Sequence, residues 1–154
     1  MPLRALAFSP ANPCPCQRTR CYPSHYPSHG RLLANELGHF QAAADRDTLL
    51  QALCREATRV TEAEWTTVLD LAAGTTRVSH GDHPPVPWLV AFDSATTEHV
   101  VADVIRATVV VDELVLVLGR EGGDFRSRQR DRVALLARIA AVRWREIGES
   151  VSPV

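Results

Sequence analysis

Residue types able to hold a metal or attack a substrate are concentrated in a few places. Cys14, Cys16, Cys21, His25 and His29 fall close together, and four of the five would complete a tetrahedral zinc shell. Their spacing, Cys-x-Cys-x4-Cys-x3-His-x3-His, follows no established zinc pattern. An unselected leader explains them as well, so a zinc module stands as the alternative reading. A second group is the "HGDH" stretch, with His80, Asp82 and His83, joined by His99. Imidazoles with a carboxylate suit a divalent metal or a polar ligand. A polar, exposed loop tolerates the same residues, and no metal is assigned. Trp65, Trp88 and Phe92 are the third group. Aromatics with a few polar groups line typical small-molecule cavities. Trp65 also reads as ordinary core, whereas Trp88, following three prolines, is open to either role.

Nucleophilic chemistry has little to build on. Cys54 is the one cysteine beyond the first 29 residues, and it sits on a helical face. Catalysis would need a base beside it, so a buried structural thiol is the preferred reading and a Cys54-dependent redox enzyme the weaker alternative. "GREGG" follows a strand pattern but lacks the Lys-Ser/Thr of a phosphate-binding loop. No catalytic residue is assigned, and the cofactor is left unknown. Arg126, Arg128, Arg130, Arg132, Arg138, Arg143 and Arg145 make the last helical segment basic. The first four alternate in sequence, so they spread around a helix as a solvated surface rather than forming a nucleic-acid stripe.

The elements that position these groups follow from the pattern along 154 residues. The composition, 45% apolar and 23% charged with net charge −1, suits one globular domain and argues against nucleic-acid or anionic-membrane partners. Every basic residue is Arg, which together with the Ala and Val content reads as the codon bias of a GC-rich, bacterial genome. The opening residues are too short and interrupted an apolar patch for a signal peptide, and no run reaches membrane-span length. A cytoplasmic location is expected, where cysteines stay reduced. Residues 1–29 hold six of the ten prolines and three of the four cysteines, the composition of a disordered leader. A domain over 30–148 and a tail over 149–154 are expected to follow.

Within that domain, Leu33, Leu37 and Phe40 share one helical face, though Gly38 weakens it. "DRDTLLQALCREATRV" predicts a stronger helix, capped by Asp45 or Asp47. "EWTTVLDLA" alternates as a half-buried strand, Gly74 turns the chain, and "TTRVSH" supplies a short partner. "GDHPPVPW" reads as a loop and "WLVAF" as a short strand. "SATTEHVVADVI" predicts a helix capped by Ser94 or Thr96, with Val104 and Ile105 inward. "RATVVV", Asp112-Glu113 and "LVLVLG" form a hairpin, whose turn lacks the usual Gly and so leaves a longer loop open. A final helix over about 126–147 buries Val133, Leu136, Ala140 and Ile147, with Gly148 as its stop. The class is α+β: a central antiparallel sheet of about five to six strands flanked by N- and C-terminal helices.

This order resembles a GAF domain over about residues 31–148. The similarity is carried by "LLQALCREATRVTEAEWTTVLDL" and by the hairpin Arg106 to Gly119. A glycine-containing loop follows, then Phe125, with Val133, Leu136, Ala137 and Ala140 at the family's spacing after it. The chain departs from the family where Arg126 stands in place of a small capping residue, and its middle is short. The resemblance implies a GAF/PAS-like fold and a non-enzymatic sensory or regulatory domain. It implies a small-molecule ligand between the sheet and segment 80–101, with Trp88, Phe92, His99, His80, His83 and Asp82 as candidate contacts. It also implies a signalling partner protein and a homodimer built on the terminal helices, for which Leu33, Leu37, Phe40, Val142, Trp144 and Ile147 are the apolar candidates.

Overall fold

The computed structural model describes residues 38–95, 102–110 and 113–150. The leader with its Cys/His cluster, Leu33, Leu37 and His99 lie outside the described residues. A single helical turn at 38–41 leads into α1 (Arg46–Thr61). Asp45 caps α1: its side chain accepts from the Thr48 N–H at 2.8 Å, satisfying one of the donors that a helix start leaves open. That bond and a second from the Thr48 hydroxyl hold the Asp45 carboxyl below its ordinary pKa. Glu62 ends the helix in the left-handed region at φ 56°.

Strands β1 (Trp65–Asp70) and β2 (Thr75–His80) form a hairpin through Gly74. Helix α2 (Val86–Ala95) follows, then β3 (Val104–Val110), β4 (Leu114–Gly119) and the long α3 (Ser127–Ser150). The sheet is antiparallel throughout, in the order β2-β1-β4-β3. It has four strands among the described residues, rather than five or six. One reason is that "WLVAF" lies in helix α2. A second difference concerns Val104 and Ile105, read as inward positions of a helix, which open β3 instead.

"LVLVLG" is buried along its whole length because β4 is central and covered on both faces. Leu114, Leu116 and Leu118 point into the larger core under α1 and α3; Val115 and Val117 point the other way, toward Leu89 of α2. The longer side chains fill the deep space beneath two helices, and the shorter ones suit the thinner layer beneath one. β1 is likewise more than half-buried. Trp65 and Leu69 join the α2 side and Val68 the other, while Thr66 and Thr67 are buried with their hydroxyls paired to Thr58 and to the Val78 carbonyl.

Three of the dimer candidates are buried. Phe40, Trp144 and Ile147 belong to the protein's own core, so they are unavailable as an external face; Val142 stays 50% exposed. Gly148 does not stop α3, which continues to Ser150. Its missing side chain instead makes room for Arg46, whose guanidinium lies 4.5 Å from the centre of the Trp144 ring. Two of the helix arginines are also not merely solvated. Arg130 donates to the carbonyls of Val104 and Ala102 at 3.0 and 2.7 Å, and Arg143 to those of Gln41 and Ala43 at 3.3 and 3.1 Å. Among the described residues, no helix is long and apolar enough to cross a membrane.

Candidate functional site

The antiparallel register brings the start of β1, the end of β4 and the start of β3 to one end of the sheet. Trp65 and Val104 both stand opposite Gly119. A side chain at Gly119 would collide with the Trp65 indole, its Cβ falling 2.9 Å from Nε1 and closer to the ring carbons. Glycine here lets the indole lie across the end of β4.

The loop into α2 is fixed by a second close approach. Gly81 has φ +75°, and a Cβ there would strike the Glu64 backbone. The chain then passes His83, whose Nδ1 donates to the Pro84 carbonyl at 2.7 Å. Pro84, Pro85 and Pro87 do not prevent a helix, because they precede it or fall in its first turn, where an N–H has no intrahelical partner. The N–H groups of Trp88 and Leu89 instead bond back to the Pro85 carbonyl. Leu89 is fully buried against Trp65, Leu69, Val104, Val115 and Val117. Asp93 takes a 2.5 Å hydrogen bond from Arg106 Nε, tying the far end of α2 to β3.

This arrangement presents Trp88 and Phe92, one helical turn apart, on the side of α2 facing the strand ends. Their rings stack at 5.3 Å with a 9° angle between planes. With Trp65, Pro84, Asp103, Val104, Arg120 and Glu121 they line a cleft of about 300 Å³. Trp88 is 46% exposed, the largest exposed aromatic among the described residues. Arg120 borders the cleft, with its guanidinium N–H groups turned to the backbone. Its guanidinium donates to the carbonyls of Gly123, Asp124 and Thr61 at 2.9, 2.5 and 3.3 Å and lies 4.4 Å from the centre of the Phe125 ring.

Two of the anticipated contacts, Trp88 and Phe92, therefore meet at one cleft. His80 does not join them. It pairs with Thr66, whose hydroxyl faces α1, and lines a separate depression of about 160 Å³ with Gln51, Cys54 and Arg55. Asp82 is exposed and His83 is taken up by its bond to Pro84. His99 lies outside the described residues. Among those residues, no three His, Cys, Asp or Glu side chains are grouped to hold a metal. Burial pushes the Cys54 thiol up to about 12, which keeps it protonated at neutral pH and works against a nucleophilic role.

Sequence reasoning missed Asp103, Arg120 and Glu121. The signal that would have found them is the hairpin register: once Trp65 and Val104 are set opposite Gly119, the residues flanking that glycine must share the same end of the sheet. A larger depression of about 530 Å³, between the start of α1 and the end of α3, is less suited to a ligand. Its arginines are already committed, Arg46 to Trp144 and Arg77 to Asp47 and Asp70 at 3.6 and 3.8 Å. No family model, no curated protein and no solved structure matches the chain.

Proposed function

We propose that the chain is a non-enzymatic, GAF-like sensory or regulatory domain that binds a small molecule in the α2 cleft. The observation that carries this reading is the Trp88–Phe92 pair at the cleft. Two stacked aromatics beside a third, Trp65, form a concave apolar surface bordered by a few polar groups, the usual character of a ligand site. Trp88 at 46% exposure is apolar area that a bound molecule would remove from water. The GAF-like assignment is supported by the order helix, β1–β2, β3–β4 hairpin, glycine-containing loop, buried Phe125 and long α3.

A cytoplasmic location, a homodimer and a downstream partner protein belong to the same proposal. The dimer face is reassigned to the outer surface of α3, since the inner one is occupied by the core. Native mass spectrometry of the purified protein tests the reading. The expected species is a dimer retaining an organic mass that Trp88→Ala removes. A monomer carrying one zinc, lost when residues 1–29 are deleted, would replace this reading with the zinc module.

A further inference from the structure

We infer that α3 pairs with α3 of a second copy in antiparallel orientation, with the two-fold axis beside Ile139. This rests on the homodimer reading above and adds the direction of the contact. The outer side of α3 carries residues spaced alternately by four and three, the period of a coiled-coil seam. Its centre is apolar: Leu135 and Val142 are exposed and Ile139 is partly buried between them. Arg128 and Arg132 continue the same seam toward the N-terminal end of the helix. Glu146 and Glu149 continue it toward the C-terminal end.

The charges along this seam decide the direction. Arg128 and Glu149 lie at roughly equal distances either side of Ile139, and so do Arg132 and Glu146. An antiparallel copy therefore sets Arg128 level with the partner's Glu149 and Arg132 level with the partner's Glu146. A parallel copy sets every one of these charges beside its own like. The row beside the seam repeats the sorting with opposite sign. Asp131 lies toward the N-terminal end and Arg145 toward the C-terminal end, so these too meet as opposites only in the antiparallel contact. Arg138, in the middle of that row, approaches its own copy in either direction and does not discriminate. Arg143 is directed at the Gln41 and Ala43 carbonyls and at Glu146 of its own chain. The helix dipoles agree, because antiparallel helices bring each positive N-terminal end beside a negative C-terminal end. A foreign partner would need a matching gradient of charge, whereas a second copy supplies it by symmetry.

The test is sedimentation equilibrium of the full chain at low and at high salt. It uses Arg128 and Glu149, because Arg132 and Glu146 already have partners within their own chain. Arg128→Glu sets like charges together at both ends of an antiparallel contact. It should raise the dimer dissociation constant about tenfold at low salt and less at high salt. Glu149→Arg should do the same. The variant carrying both substitutions exchanges the two charges and should return to within about threefold of the unmodified protein. Both side chains are exposed, so circular dichroism should show the fold of each variant unchanged. Single variants that dimerise as tightly as the unmodified protein would overturn the antiparallel assignment, since a parallel dimer holds a like pair before and after either change. A double variant that fails to recover would overturn it as well. An unmodified protein that stays monomeric at every concentration would remove the homodimer reading itself, and this inference with it.

Discussion

Glu56 is a carboxylate buried within α1, and its environment decides its charge. Burial works to raise its pKa. Hydrogen bonds from Arg59 and His39, with the charge of each, outweigh that and hold the carboxyl below its ordinary value of 4.5. The contacts are short: 2.7 Å and 2.8 Å to Arg59, and 2.9 Å to His39 Nδ1. His39 belongs to the turn that buries Phe40, so the carboxylate also fastens that turn to α1. A group whose folded pKa is depressed contributes stability above its unfolded pKa and loses it as pH falls through the folded one. Stability should therefore decline as pH drops below about 4.5, with Glu56 supplying part of the slope. Glu56→Gln should lower stability at neutral pH and flatten the acid limb, measured as urea midpoints across a pH series. Parallel profiles for the two proteins would show that Glu56 is not a source of the slope.

At the scale of elements, α2 is where reading the sequence and folding the chain part company. α1, the β1–β2 hairpin, the β3–β4 hairpin and α3 were legible because each has a sustained period, a cap or a turn residue. "WLVAF" has none: a short, continuous apolar run fits a buried strand and a buried helix segment equally. The prolines before it suggest a loop, yet they stand where a helix can accept them. Four residues of α2 then divide three tasks: Leu89 anchors it, Trp88 and Phe92 face the cleft, and Asp93 holds β3. The cleft was half legible for the same reason. Its aromatics announce themselves by type, whereas Asp103, Arg120 and Glu121 acquire meaning only through strand register. If Leu89 is the anchor, Leu89→Ala should destabilise by about 2–5 kcal/mol through the cavity it leaves. Hydrogen exchange should accelerate more across α2 than across β4. An even acceleration over both would mean that α2 opens only with the whole domain.

For the whole molecule, the open question is what meets the outer side of α3. The helix spends Val133, Leu136, Ala140, Trp144 and Ile147 on its own core. What remains apolar outside is Leu135 at 40% exposure, the partly buried Ile139, and Val142 at 50%. Their spacing of four and three residues places them along one stripe. A groove of about 240 Å³ runs beside it, lined by Phe40, Gln41, Ile139, Val142, Arg143 and Glu146. In the proposed homodimer a two-fold contact sets this stripe against its own copy, with the Arg143–Glu146 pair, 3.1 Å apart, at its polar border. Val142→Glu tests it cleanly, because a half-exposed position tolerates the change within the monomer. Across a two-fold axis the substitution would bring two like charges together and strip them of water. Sedimentation equilibrium should show the dimer dissociation constant rising about tenfold or more, with the thermal midpoint of the dissociated monomer unchanged. An unaltered dimer would move the interface off α3. Loss of folding in the variant monomer would instead place Val142 inside a contact that the isolated domain itself needs.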